Sequence, residues 1–161
     1  MKSILAMLLL VSTALCFAEP KITLFIGLTP AGSFQAVSKK AKGNLFKTGS
    51  SFSADKISIS IESFKTGIDL RDEHTWKHMN ATKHPKAILS DLKAAGGKAT
   101  AKLEVNGVTK PINITYAEKG SEIEAKFLVK ASQFNMPPAK YLGVGVNDEI
   151  PVEAILAFKV K

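Results

Sequence analysis

Residues 98–116 read KATAKLEVNGVTKPINITY, and this stretch decides the fold. Apolar and polar residues alternate up to the pair Asn106-Gly107, and they alternate again beyond it. A period of two residues is typical of a β-strand with one buried face. Asn-Gly favours the type I′ turn that joins two antiparallel strands. The stretch therefore predicts a β-hairpin.

The same alternation recurs along most of the chain. It is strong in residues 22–28, 57–62, 122–129 and 150–160, and weaker in residues 34–38, 43–47 and 86–92. Together with the hairpin, these runs predict about eight antiparallel strands. In a single domain of this size such strands form either a closed barrel or a sandwich, and closure removes the exposed sheet edges.

Two segments interrupt the pattern. Residues 69–81 show no alternation, and Asp69 with the acidic residues after it is typical of a helix N-terminus, with Asp69 as the N-cap. We expect a short helix or an ordered loop there. Residues 134–141 contain Pro137-Pro138, which cannot donate hydrogen bonds in a central strand, and they predict an irregular connection.

Residues 1–18 have the features of a secretory signal peptide. Lys2 is followed by an apolar run, and the small residue Ala18 precedes Glu19. We predict cleavage after Ala18, which leaves residues 19–161 as a periplasmic or secreted domain. Cleavage would remove Cys16, the only cysteine, and with it any disulfide or cysteine nucleophile. A lipoprotein anchored through Cys16 is the alternative, but a bulky leucine precedes that cysteine.

The chain carries 22 Lys+Arg against 14 Asp+Glu, for a formal charge of +8. All these cations except Arg71 are lysines. Because nucleic-acid sites depend strongly on the planar guanidinium of arginine, this composition disfavours nucleic acid as a partner. It is consistent with a weak, transient attraction to an anionic membrane surface.

Motifs for catalysis are weak. His74 and His78 are four residues apart and could share a metal on one helix face, but Thr75 follows His74 where a zinc protease motif needs Glu. No Gly-x-Ser-x-Gly elbow or glycine-rich phosphate loop occurs. We therefore predict a protein without catalytic residues, cofactor or metal site. A His-ligated metal enzyme is the alternative.

The interior of an eight-stranded barrel is either filled or holds one small ligand. Several small residues share the apolar phase with Phe127 and Phe158, and they favour a cavity: Ala99, Ala101, Ala125 and Ala154. The alternative is a filled barrel that acts as a protein-interaction or stress-response module. A transmembrane barrel is disfavoured, because few tyrosines and tryptophans are present to form interfacial girdles.

Three stretches resemble the YceI-like family of lipid-binding proteins. The first is residues 57–67, ISISIESFKTG, followed by Arg71-Asp72-Glu73-His74 and Lys83-His84-Pro85. The second is residues 101–112, AKLEVNGVTKPI, and the third, looser match is Ala131-Ser132-Gln133-Phe134. The resemblance implies an exported, lipocalin-like antiparallel barrel of eight strands, with a short helical insert between strands.

The resemblance also implies that the apolar lumen holds a polyisoprenoid chain, either a polyprenyl lipid or a quinone tail, as a carrier or buffer without catalysis. We expect the apolar strand faces to contact it, through Leu103, Val105, Ile112, Ile114, Ile123, Phe127, Leu156 and Phe158. Arg71, Asp72 and His74 carry over as a motif without an assigned role. Arg71 and Asp72 could either clamp an anionic head group or tie their segment to neighbouring backbone.

Overall fold

A computed structural model describes residues 19–161, so the predicted signal peptide, residues 1–18, lies outside the described residues. In the described part, no helix has the length and apolar character needed to cross a bilayer. The chain forms one α-helix, α1 (Asp69–His78), and two 3-10 helices, Ile61–Ser63 and Ala131–Phe134. The strands are β1 (Lys21–Thr29), β2 (Ser33–Ser38), β3 (Lys42–Gly43), β4 (Leu45–Thr48), β5 (Ser51–Ser60), β6 (Lys86–Ala95), β7 (Lys98–Val105), β8 (Val108–Lys119), β9 (Glu122–Lys130), β10 (Lys140–Tyr141), β11 (Val144–Val146) and β12 (Glu149–Val160).

Among the described residues, seven strands close into a ring in the order β12, β4, β5, β6, β7, β8 and β9, and β9 pairs back with β12. Residues 149–157 of β12 run antiparallel to residues 122–130 of β9. Residues 158–160 of β12 run parallel to residues 45–47 of β4. The predicted all-β barrel with a helical insert is confirmed, but the predicted count of eight strands is not: the closed ring has seven strands, and the described residues form twelve in all. The structure adds this short parallel contact, which alternation alone could not reveal.

The hairpin of β1 and β2 completes the wall at the other end of the barrel. Residues 21–24 of β1 pair with residues 152–155 of β12, next to the pairing of β12 with β9. Between β2 and the chain after β5, the backbone pairing in the described residues is a single bridge, in which Val37 and Lys65 exchange hydrogen bonds of 2.8 and 2.9 Å. The wall is therefore hydrogen-bonded less continuously here than in the seven-stranded ring.

The predicted hairpin turn is confirmed. Asn106 and Gly107 both have positive φ, at 50° and 73°, as a type I′ turn requires. Val105 pairs with Val108 directly across the turn.

Aromatic rings fill the end of the barrel formed by the seven-stranded ring. Phe52 meets Tyr116 and Phe158 edge to face, with ring centroids 5.5 and 5.1 Å apart. Ala99 and Ala101 are buried in the same cluster. The sequence predicts that these small residues leave an open cavity, but at this end of the barrel they do not. They make room for the rings instead.

The insert at residues 69–81 is helical up to His78. Ile68, and not Asp69 as predicted, is the N-cap residue, and no side chain caps the helix there. The second insert, residues 134–141, is irregular as predicted between a 3-10 helix and β10.

Candidate binding cavity

The barrel holds a cavity of about 1140 Å³ at the end opposite the aromatic cluster. Typical small-molecule pockets range from roughly 300 to 1,000 Å³, so this volume suits a large ligand. Most of the wall consists of the inward faces of six strands, β1, β5, β6, β7, β9 and β12. Its apolar residues include Ile22, Leu24, Ile26, Ile57, Ile59, Leu89, Leu103, Val105, Phe127, Val129, Val152 and Leu156.

Long strands contribute to both ends of the interior. In β5, Phe52 is part of the filled aromatic end, whereas Ile57 lines the cavity. In β9, Ile123 packs in the filled end and Phe127 lines the cavity. The aromatic cluster therefore closes the bottom of the cavity.

The cavity opens between residues 68–78 and 140–146, and we call this opening the mouth. Four large apolar side chains line the cavity there and yet are well exposed, with exposed fractions of 53% for Ile68, 62% for Leu70, 86% for Leu142 and 39% for Val144. Grouped apolar exposure of this kind marks an interaction or ligand-binding surface.

Helix α1 places its basic residues towards the cavity. Arg71, His74, Lys77 and His78 line it, as their spacing on one helix face allows. Lys140 of β10 also lines it, across the mouth from α1. None of the described residues that line the cavity is Asp or Glu. The charged residues of the lining, Arg71, Lys77 and Lys140, are therefore all positive.

Asp72 ties α1 to the chain that precedes it. The residue is 2% exposed, and its carboxylate accepts hydrogen bonds from the backbone N–H and the hydroxyl of Thr66, at 2.7 and 2.6 Å. The Lys65 ammonium lies 3.4 Å from the same carboxylate. Burial by itself would raise the pKa of Asp72, but the Thr66 hydrogen bonds and the Lys65 charge outweigh burial and hold the pKa below its usual value.

Trp76 and Lys65 strengthen this attachment. The Trp76 indole N–H donates to the carbonyl oxygen of Phe64 at 2.9 Å. The Lys65 ammonium lies 4.2 Å from the centroid of the Trp76 ring, within the range of a cation–π interaction. Segment 64–66 thus holds α1 beside the mouth.

Arg71 also contacts this segment, and in addition it lines the cavity. Its Nη2 donates to the carbonyl oxygen of Thr66 at 2.8 Å, and its guanidinium carbon lies 4.5 Å from the centroid of the Phe34 ring. Its Nε is buried and has no hydrogen-bond partner among the described residues. Of the two readings left open for Arg71 and Asp72, the backbone tie is present for both residues.

The histidines do not form a metal cluster in the described part of the chain. No group of three or more His, Cys, Asp or Glu side chains comes together among residues 19–161. Burial lowers the pKa of His78, which favours a neutral imidazole at neutral pH. His84 packs against the hairpin turn, where its ring faces Gly107.

The eight residues predicted to contact a ligand fall into two groups. Leu103, Val105, Phe127 and Leu156 line the cavity. Ile114, Ile123 and Phe158 are buried in the aromatic end, and Ile112 packs between the two ends. A ligand in the cavity would meet the first group directly, and contact with any of the eight stays a prediction.

The sequence interpretation missed much of the wall and the apolar residues of the mouth. The inward face of β1 lines the cavity through Ile22, Leu24, Ile26 and Leu28. Their alternation was visible in the sequence and could have nominated them. Ile68, Leu70 and Leu142 lie outside the alternating runs, so no periodic signal marked them.

Two solved structures have a fold similar to that of this chain. The crystal structure of Burkholderia cenocepacia BcnA is similar with a TM-score of 0.65 at 21% identity, covering 87% of this chain and 96% of that one. A polyisoprenoid binding domain from Saccharophagus degradans, implicated in plant cell wall breakdown, is similar with a TM-score of 0.60 at 14% identity, covering 88% of this chain and 94% of that one. No curated protein matches the chain.

The model of the YceI-like domain matches residues 18–158, nearly the whole described barrel. The match contains the three stretches on which the resemblance rested. The chain belongs to the YceI-like family.

Proposed function

We propose that the protein binds one polyisoprenoid chain, either a polyprenyl lipid or a quinone tail, and acts as its carrier or buffer without catalysing a reaction. The observation that carries this proposal is the cavity of about 1140 Å³ between apolar strand faces, closed at one end and open at the other. Similarity to the polyisoprenoid binding domain of S. degradans supports this class of ligand.

Burial of the hydrocarbon is sufficient to drive binding. Each buried CH₂ group contributes about 0.8 kcal/mol, so ten carbons contribute roughly 8 kcal/mol before costs. Association and ordering cost on the order of 4–15 kcal/mol, so a tail of fifteen to twenty carbons would give useful affinity without a charged anchor. The long cavity wall favours such a tail over a compact ligand.

The barrel interior favours a binding protein over the alternatives. A filled barrel acting as an interaction module fits less well, because the interior is filled at only one end. Asp72, the one buried charged side chain among the described residues, is engaged with Thr66 and Lys65. Our proposal therefore assigns no reacting group.

We also propose that the protein is exported and contacts membranes transiently. Residues 1–18 support export, because they read as a signal peptide. The exposed side chains of Ile68, Leu70 and Leu142 at the mouth support membrane contact, since they could insert among lipid chains beside Lys77 and Lys140. This orientation would place the cavity where its ligand resides.

Native mass spectrometry tests the proposal. The full chain would be expressed in a bacterium that makes polyprenyl lipids and isoprenoid quinones, then purified without detergent. We expect a population heavier than the polypeptide by the mass of one such lipid, and we expect organic solvent to remove that excess. Only bare polypeptide, from cells in which these lipids are detected, would contradict the proposal.

A further inference from the structure

Four apolar side chains lie at the boundary between the cavity and the aromatic cluster. They come from the four strands β5, β6, β9 and β12. They line the cavity and also pack against the buried cluster below it: Ile57, Leu89, Phe127 and Leu156. We call these four residues the floor, because the open part of the barrel ends at them.

The change from open to filled interior is abrupt along the strands. On β12, Leu156 lines the cavity, whereas Phe158, the next inward residue, is buried in the aromatic cluster. On β7, Leu103 lines the cavity and Ala101, again the next inward residue, is buried in the cluster. Phe158 also packs edge to face on Phe52. Because close-packed interiors yield little to an applied load, the floor is a fixed limit to the cavity.

The volume above the floor limits the number of carbon atoms that the cavity can hold. A methylene group occupies about as much space as a water molecule in the liquid, roughly 30 Å³. The cavity of about 1140 Å³ therefore has room for about 35 carbon atoms, or seven isoprene units of five carbons.

A tail of this length cannot lie fully extended in the barrel. Ile150 and Leu156 of β12 both line the cavity and are six residues apart. At about 3.3 Å per residue and a strand tilt of about 40°, they span a depth of roughly 15 Å. With carbon–carbon bonds of about 1.5 Å in a zigzag, about twelve main-chain carbons, or three isoprene units, cover this depth. A longer tail must therefore turn back at the floor.

We infer that the floor sets the length of the bound tail, so that the ligand carries about seven isoprene units and longer tails are disfavoured. This inference rests on the proposed function, because it assumes that an isoprenoid tail occupies the cavity. Phe127 and Leu156, on the paired strands β9 and β12, are the residues that determine this specificity. Each further isoprene unit finds no apolar space above the floor and stays outside the barrel.

Competition among prenols tests tail length with a constant head group. Delipidated full protein would be incubated with vesicles that contain equal amounts of prenols with three to eleven isoprene units, and then separated from them. The bound prenols would be extracted and quantified by mass spectrometry. Because every prenol starts in an apolar bilayer, a tail that the cavity cannot enclose loses burial on transfer. We expect occupancy to peak near seven units and to fall at least tenfold for tails two units longer.

Substitutions at the floor should move this peak in a stated direction. Truncating a large buried side chain can open a space on the order of 150 Å³, enough for about one more isoprene unit. Phe127→Ala should therefore shift the peak to longer tails by about one unit, and Leu156→Ala repeats the test on β12. Ala154→Leu, which adds bulk to the cavity just above Leu156, should shift the peak to shorter tails. Leu128→Ala, at an exposed position on β9, is the matched control and should leave the peak in place.

Equal occupancy by all tail lengths in the wild-type protein, or a maximum at three units, would overturn the inference and leave the tail-binding proposal standing. A peak that stays in place in the folded Phe127→Ala and Leu156→Ala variants would equally overturn the assignment to the floor. Binding of no prenol by the wild-type protein would overturn this inference and the proposed function together.

Discussion

Asp72 accepts two hydrogen bonds from Thr66, one from the backbone N–H at 2.7 Å and one from the hydroxyl at 2.6 Å. Thr66 lies before the start of α1 and Asp72 lies in its first turn, and the Asp72 carboxylate is buried beside Thr66 and Lys65. Asp72 is therefore one of the contacts that hold α1 beside the mouth, together with those of Arg71 and Trp76. Arg71, the residue before Asp72 in the helix, lines the cavity from this fixed base.

Replacing Asp72 by alanine should destabilise the protein strongly. The change leaves the Thr66 N–H and the Lys65 ammonium without their partner, and hydrogen bonds to a charged group contribute about 1.5–3 kcal/mol each. We expect the free energy of unfolding to fall by about 3 kcal/mol in urea denaturation. Glu73→Ala, at an exposed neighbouring position, is the control and should change it by less than about 0.5 kcal/mol. Equal losses in the two variants would contradict the role of Asp72.

The stabilising effect of Asp72 should depend on pH with a definite sign. Because the pKa of Asp72 is lowered in the folded state, its ionised form favours folding. The contribution is fully present above the unfolded pKa, about 4, and disappears as pH falls through the lower folded pKa. The stability difference between the wild type and Asp72→Asn should be constant from pH 7 to 5 and shrink below pH 4. The other carboxylates are common to both proteins, so their contributions to the pH dependence cancel in this difference. A stability difference that grows towards acid pH would refute this assignment.

Gly107 should tolerate a side chain less well than Gly49. Both have positive φ, at 73° and 60°, so alanine is strained at either position. A Cβ at Gly107 would also lie 2.6 Å from Cε1 of His84, whereas nothing lies within 4 Å of one at Gly49. We expect Gly49→Ala to cost about 1 kcal/mol, from backbone strain alone. Gly107→Ala should cost more, and His84→Ala should recover only the excess.

The measurement is thermal or urea unfolding of the two glycine variants and of Gly107→Ala/His84→Ala. If Gly49→Ala and Gly107→Ala have the same stability, the contact between His84 and the hairpin turn does not restrict that position.

Removing apolar side chains from the mouth should weaken membrane binding. Leu70 and Leu142 are exposed by 62% and 86%, and inserting them into a bilayer would remove this surface from water. We expect Leu70→Ser/Leu142→Ser to reduce co-sedimentation with vesicles containing anionic lipid by about tenfold. Leu128→Ser/Val160→Ser removes two exposed apolar residues elsewhere and is the control. Equal binding by both variants would show that the mouth does not face the membrane.

The sequence predicts well which side chains face the barrel interior, but it predicts poorly how far along the barrel axis each of them lies. Alternation correctly places both Ile123 and Phe127 of β9 on the inner face. It does not reveal that the first fills the aromatic end and the second lines the cavity, because side chains two residues apart share a face at any height in a barrel. The prediction that small inward residues leave a cavity fails in part for the same reason. Ala101 makes room for aromatic rings, whereas Ala154 lines the cavity.

The sequence predicts correctly those features that depend only on residues adjacent in the chain. Asn106 and Gly107 form the expected turn because their backbone preferences suffice for it. The stacking of Arg71 on Phe34 joins residues far apart in the chain, and no spacing rule predicts it. The parallel contact of β12 with β4 likewise depends on how the ring closes and not on either strand alone.

Calorimetric titration of the delipidated protein with geranylgeraniol tests the central claim most directly. The account predicts one molecule bound per chain with a negative heat-capacity change, the mark of apolar burial. Phe127→Lys, inside the cavity, should abolish binding, whereas Leu128→Lys, on the outer face of the same strand, should preserve it. Circular dichroism would establish that both variants are folded. Undiminished binding by folded Phe127→Lys, or no binding by the wild-type protein, would contradict the account.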